Sequence, residues 1–328
     1  MGKNKKNEPE SVKGAVGGQA VIEGVMMKAK ENVAIAVRRE SGEIVKKLKS
    51  YTSKKDKYKI LNIPVIRGFV NFIEMMSMSM STLNESADML GLAEVDAPEK
   101  PEKNEDSSKL MLVASIIGTI IGLALSFGLF FFLPTFIGKQ ITEITGLKKG
   151  GWFISLVEMI TRIAIFILYI LLVSLLKDIK RTFQYHGAEH MCVFCYEAKD
   201  ELSVENAKKY SRFHPRCGTS FMIVMMIIGF LIGMLIPDFT NEYFGFSSTV
   251  AFWLRLLCKL AVFPFIIGIG YEFIKYAGKH DSAIVKIISA PGLWIQRLTT
   301  KKPDDAQLEV AVVSLRTALK MDTLEDAK

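Results

Sequence analysis

Between residues 185 and 219 the chain gathers side chains suited to metal chemistry. Tyr185-His186-Gly187-Ala188-Glu189-His190 runs on into Met191-Cys192-Val193-Phe194-Cys195, and His214-Pro215-Arg216-Cys217-Gly218-Thr219 follows further on. Three of the protein's four histidines and three of its four cysteines fall in this window. Imidazole nitrogen and thiolate sulfur are favoured donors for zinc and similar ions, so the bunching of two rare residue types points to a metal site. On a helix, His186 and His190 stand one turn apart on one face, where both rings reach a single ion. His-x-x-Glu-His is the reversed order of the zinc-protease helix, whose carboxylate acts on a water with its pKa lowered by the ion to about 7. The expected set is Glu189 as catalytic base, His186, His190, His214 and Cys217 as ligands, and zinc or another divalent transition metal as cofactor.

Cys195 is an additional candidate ligand. With Val193 and Phe194 between the two thiols, however, the Cys192 to Cys195 stretch reads first as hydrophobic packing. Pro215 excludes helix around His214 and Gly218 marks a turn, so this piece is expected to be a tight knuckle presented to the histidine helix. Gly187 weakens that helix by about 1 kcal/mol, which calls for tertiary support or a bound ion.

The elements that must hold these groups are mostly apolar. Half of the 328 residues are hydrophobic and the mean hydropathy is positive, with the apolar residues bunched into long runs in the manner of bilayer spans. The +8 net charge does not indicate a nucleic-acid partner, because the Lys and Arg flank hydrophobic runs and are not gathered on one polar helix. Met1 to Lys6 reads as neither a secretory signal nor a myristoylation site. Four crossings are expected: Leu110 to Gly138, Trp152 to Leu176, Ser220 to Pro237 and Thr249 to Ile274. The loop from Lys177 to Thr219 is rich in Lys and Arg, and the one from Asp238 to Ser248 has neither, which places the long loop and both termini in the cytoplasm. There the thiols stay reduced.

Charges inside spans are costly and face partners, not lipid. Glu158 and Arg255 each lie about six residues in from the outer ends of their helices, at a depth of roughly 9 Å. Glu158 is expected to form an intramembrane ion pair with Arg255 or Lys259, with Arg162 as its local partner one turn on or as a further member of the cluster. The pair is read as fixing helix packing, with a transport relay as the alternative.

The fold class is therefore mainly α: a polytopic helical membrane protein with about four transmembrane helices, a small N-terminal β unit and amphipathic cytoplasmic helices. Residues 1–14 read as a disordered N-terminus, 15–62 as a Gly-rich β unit, and 63–90 as an amphipathic helix on the membrane surface or on other helices, with insertion as the alternative. Residues 91–109 read as an acidic linker, 110–274 as a four-helix membrane domain carrying the His/Cys loop 177–219, and 275–328 as a cytoplasmic C-terminal segment. In that last segment Trp294 is an interfacial anchor, and Pro303-Asp304-Asp305 opens an amphipathic helix to about Leu319, with Leu308, Val312 and Leu315 on one side.

Four blocks carry a resemblance: Gly17 to Met27, Tyr185 to His190, His214 to Ser220, and Ala290 to Thr300. They closely resemble the YqhQ-like family of bacterial membrane proteins. That resemblance implies a metal-dependent enzyme in the bacterial inner membrane, and His186, Glu189, His190, His214 and Cys217 match the family's pattern. The expected function is a membrane-bound, metal-dependent hydrolase acting on a lipid-linked or membrane-protein substrate, with membrane lipids and a homo-oligomeric partner as further associations. The alternative is a non-catalytic assembly factor or regulator whose metal only staples the loop.

Overall fold

The computed structural model describes residues 14, 16–92, 105–145, 150–236, 244–277, 280 and 282–321. The expected disordered N-terminus falls outside these residues except for Gly14, and so does most of the acidic linker.

The β unit is a four-stranded antiparallel meander in the order β1 (Val16–Val21), β2 (Gly24–Ala29), β3 (Asn32–Arg38) and β4 (Ile44–Ser50). The stretch from Gln19 to Met27, which looks continuous in sequence, folds back on itself at Ile22-Glu23, where Val21 pairs with Gly24. Glu23 takes a φ of 47° there, a left-handed conformation that non-glycine residues seldom adopt, so no Gly or Asn announces the turn. Gly42, at φ 88°, closes the β3–β4 turn. The two central strands are buried on both faces, whereas β4 exposes Lys46, Lys47 and Lys49 along the sheet edge, where charge discourages pairing with another strand.

The helices named below run in chain order: α1 (Ile66–Met89), α2 (Glu105–Phe127), a π turn (Gly128–Phe132), α3 (Leu133–Thr145), α4 (Gly150–Val173), α5 (Lys177–Glu197), α6 (Gly218–Gly233), α7 (Ser248–Ala277), α8 (Ala283–Thr299) and α9 (Asp305–Ala318). One face of the sheet packs Val21, Met26, Ile35 and Val37 against Met78 of α1. The other packs Val25, Met27, Ala34 and Ala36 against Tyr185 and Cys192 of α5 and Leu308 and Leu315 of α9. The chain's last described helix therefore returns to its first strands, held at its N-terminus by an Asp304–Gln307 capping box.

Three helical segments are long and apolar enough to cross a bilayer: Ile117–Ile141, Trp152–Val173 and Ser248–Ala277. The fourth expected span is the shorter α6 of 16 residues. It rises about 24 Å, less than the roughly 30 Å of a hydrocarbon core. α1 begins at Ile66, after Pro64, and lies against α7, where Arg67 forms a bidentate pair with Glu272. This partner packing uses the polar side of α1 that also carries Asn71 and Glu74.

Candidate functional site: a His/Cys cluster at the head of α6

The histidine segment is helical despite Gly187. A Cβ at that position would stand 2.2 Å from the Lys301 carbonyl oxygen, so the missing side chain admits the strand-like exit of α8 against α5. There Lys301 N–H donates to the Phe183 carbonyl at 2.8 Å, the tertiary support that a helical glycine requires. The close approach matters for the site: it brings the Thr299 carbonyl within 2.9 Å of His186 Nδ1. The Arg212 carbonyl does the same for His190 Nδ1 at 2.6 Å. A carbonyl can only accept, so both Nδ1 atoms carry a proton, and the neutral form of each ring has its lone pair on Nε2.

Those two nitrogens converge with Cys217. The ligand atoms of His186, His190 and Cys217 all lie within 4.8 Å of one another, and Cys217 Sγ is 3.2 Å from His186 Nε2. Cys217 is the N-cap of α6 in a turn closed by Cys217 N–H to the His214 carbonyl at 3.2 Å. The helix dipole therefore points its positive end at the sulfur. Thr219 Oγ1 lies 3.2 Å from the same sulfur. Burial pushes the Cys217 thiol up, but the charge and hydrogen bond of His186, with a further bond from His190, hold it well below its ordinary range. Burial lowers His186, and the Cys217 charge overrides this and raises it to about 9. The pair thus favours imidazolium and thiolate when only protons compete for it. His190 and Cys217 are buried, and half-buried His186 is the member nearest solvent.

Glu189 is buried beside the cluster, its Oε2 3.4 Å from His190 Nε2. It fits there because β1 carries Gly18 at that point: a Cβ would meet Glu189 Cγ at 2.9 Å and the Met26 carbonyl oxygen at 2.5 Å. A carboxylate and a thiolate beside two imidazoles form a focus of donor atoms in which a shared cation would take the place of the imidazole protons.

The structure brings together His186, His190, Cys217 and Glu189, and leaves His214 and Cys195 aside. The ring of buried His214 is 5.6 Å from that of His190. Its Nδ1 accepts the Arg216 N–H at 3.3 Å, and its Nε2 lies 3.7 Å from Glu197. Both nitrogens are thus directed away from the cluster, because the knuckle turns His214 toward Arg216 and Glu197 as it turns Cys217 toward His186. Cys195 sits further along α5 and donates to the Glu201 carbonyl at 3.4 Å. Buried Cys192 is held well above its usual value by desolvation and packs in the core under the sheet. Glu23 pairs with Arg181, and Glu309 with Arg38, both away from the cluster.

Two supports escaped sequence reasoning. Fully buried Gln296 of α8 accepts His214 N–H at 2.6 Å and donates to the His214 carbonyl at 2.7 Å and to Ser220 Oγ at 3.0 Å, clamping the knuckle. Glu197 binds Arg216 and the Gly14 N–H. Burial raises its carboxyl, but His214, Arg216 and the Gly14 amide together bring it down to about 2. A Gln on the apolar side of an amphipathic helix was a signal for the first, and no sequence signal marks the second.

A second buried polar group lies among the apolar helices. Glu158 is bonded to Lys259, with Arg255 Nε at 3.5 Å and Arg162 NH2 at 3.8 Å. Lys259 also donates to Thr135 Oγ1 at 2.9 Å, and Arg255 to Ser155 Oγ at 2.9 Å. Both expected partners meet the one carboxylate, and Arg162 joins them.

The model of a family described as "Protein of unknown function (DUF1385)" matches residues 63–321. The chain belongs to the DUF1385 family. It is also 34% identical over 317 residues, covering 95% of this chain and 94% of the relative, to a Bacillus subtilis (strain 168) protein named "Uncharacterized protein YqhQ". No solved structure matches. The family match takes in the His/Cys cluster, the Glu158 group and the Gln296 clamp, and begins after the sheet that seats Glu189.

Proposed function

We propose that this DUF1385 protein is an integral membrane protein with a metal-dependent hydrolytic centre at the cytoplasmic face, formed by His186, His190, Cys217 and Glu189. Its three long apolar helices and α6 cross the bilayer, with both termini inside. The observation that carries this reading is the pair of Nδ1–H bonds to the Thr299 and Arg212 carbonyls, which aim two lone pairs at the Cys217 sulfur. Ligating histidines are typically oriented in this way. A divalent transition ion, zinc foremost given the N and S donors, supplies Lewis acidity and lowers the pKa of water. His186, His190 and Cys217 would hold the ion, and three protein donors are the number typical of catalytic and not structural zinc. Glu189 would accept a proton from the water that attacks a carbonyl or phosphoryl group and pass it to the leaving group, and the neighbouring apolar helices suit a lipid-linked or membrane-protein substrate.

The structural alternative needs a fourth protein donor, and His214 is the nearest candidate. Metal analysis of the purified chain and its Glu189→Gln variant separates the two. The proposal expects about one equivalent of metal in both and loss of hydrolysis only in the variant. A metal-free wild-type chain, or a variant of undiminished activity, overturns it.

A further inference from the structure

Where the π turn, α4, α6 and α7 meet, the helices line a partly open hollow of about 200 Å3. Phe131, Met222, Met226 and Phe263 form apolar walls, and Arg162 and Lys259 make its polar side. Among the described residues, Glu158 is the one carboxylate that meets these two cations, and it also serves Arg255. A single negative charge set against Arg162 and Lys259 leaves the lining net positive, in surroundings where an uncompensated charge costs at least about 2.5 kcal/mol. Arg162 has capacity to spare. Its Nε–H donates to the Phe130 carbonyl at 2.9 Å, and its NH2 stands beyond hydrogen-bond reach of Glu158 at 3.8 Å. Guanidinium carries five donors in a planar fork that matches carboxylate and phosphate oxygens.

The local backbone is irregular at the same place. The Phe130 carbonyl belongs to the π turn, an element that recurs at functional sites. Beside the lining residue Phe263, Pro264 lies within α7 and offers no N–H to the Leu260 carbonyl. Three methionines of α6, Met222, Met225 and Met226, give that wall an adaptable surface.

We propose that this hollow binds an anionic amphiphile: an acidic head, carboxylate or phosphate, pairs with Arg162 and Lys259, and its hydrocarbon chain lies along the methionine and phenylalanine walls. Arg162 is near the middle of the 24-residue α4, about 18 Å along the helix from either end. A small hydrated anion would have to shed its water across that apolar depth, whereas an amphiphile brings an apolar body matched to the walls. The inference is independent of the metal centre and stands or falls without it.

Native mass spectrometry of the full-length chain in neutral detergent tests it with palmitate, palmitoyl lysophosphatidate, monopalmitoylglycerol and inorganic phosphate as separate probes. One equivalent of either acidic amphiphile should bind at least about tenfold more tightly than the neutral monoglyceride, and phosphate alone should not bind. Arg162→Gln should reduce acidic-lipid binding about tenfold. Gly229→Leu should do the same without touching a charge, since a Cβ there meets only Ile266 Cδ1 at 3.8 Å and the added chain fills the hollow. Should Gly229→Leu melt earlier than wild type, Ile266→Phe repeats the test from the opposite wall. Equal binding of the neutral lipid, binding of phosphate alone, or acidic-lipid binding unchanged in the filled variants would each refute the proposal.

Discussion

The two buried polar groups of this protein are opposite in sign. At the head of α6, two imidazoles whose Nδ1 protons are committed to backbone carbonyls, a thiol held low and a carboxylate converge on one point. Among the apolar helices, Arg162, Arg255 and Lys259 surround one carboxylate. One helix joins them: Cys217 caps α6 at the first group, and near its far end the Gly233 carbonyl accepts from Arg255 at 3.4 Å. The sign of a buried cluster indicates what it can accept, because unbalanced charge away from water is compensated or the structure does not persist. The electron-rich group calls for a cation and the cation-rich group for an anion.

The comparison breaks most readily at Glu158. Glu158→Gln leaves three buried cations facing an amide and should lower stability by about 3–5 kcal/mol, seen as loss of the folded fraction in denaturant titrations of the detergent-solubilised protein. Wild-type stability in that variant would mean that the carboxylate is not the keystone of the helix packing. Next in size is Gln296→Leu, which leaves the His214 N–H, its carbonyl and the Ser220 hydroxyl buried without their partner and should cost about 2–3 kcal/mol. It should also weaken metal binding about 10- to 100-fold, the usual effect of loosening a supporting shell. A stability loss with unchanged metal affinity would show that the clamp holds the knuckle without aiming Cys217.

Glu197 sharpens the contrast through pH. Its folded pKa of about 2 lies below the unfolded carboxylate value, which is about 4.3. The stabilisation is therefore present above the unfolded value and is lost as pH falls through about 4 toward 2. Glu197→Gln should cost about 2 kcal/mol at neutral pH and flatten the acid limb of a stability-versus-pH curve. An unchanged acid limb would place the acid sensitivity elsewhere. Smallest is Gly187→Ala. Helix propensity alone would stabilise it by about 1 kcal/mol, but the added methyl meets the Lys301 carbonyl oxygen. The expected outcome is a lower melting temperature despite the better helix former.

How much of this was legible depends on whether position or partner carried the information. The apolar runs showed as periodicity and length, so the helices were readable, and α6 came out shorter than expected because it ends in a turn after Gly233. His186 and His190 could be paired from their spacing on one helix. Cys217 came within reach through the Pro215 turn, which also swung His214 the other way, and no local pattern tells which side chain of such a turn faces inward. The carbonyls of Thr299 and Arg212 were invisible, since every residue has a carbonyl and only the fold selects which one meets an imidazole. The β1–β2 hairpin went unseen because Glu23 occupies a conformation usually signalled by Gly or Asn.

The most direct test of the central claim is X-ray absorption at the zinc edge of the full-length protein loaded with one equivalent of Zn2+. The account predicts a first shell of one sulfur at about 2.3 Å and two imidazole nitrogens at about 2.0 Å, completed by one light oxygen donor, with the sulfur lost in Cys217→Ser. A shell without sulfur, or one closed by a third imidazole, would contradict it.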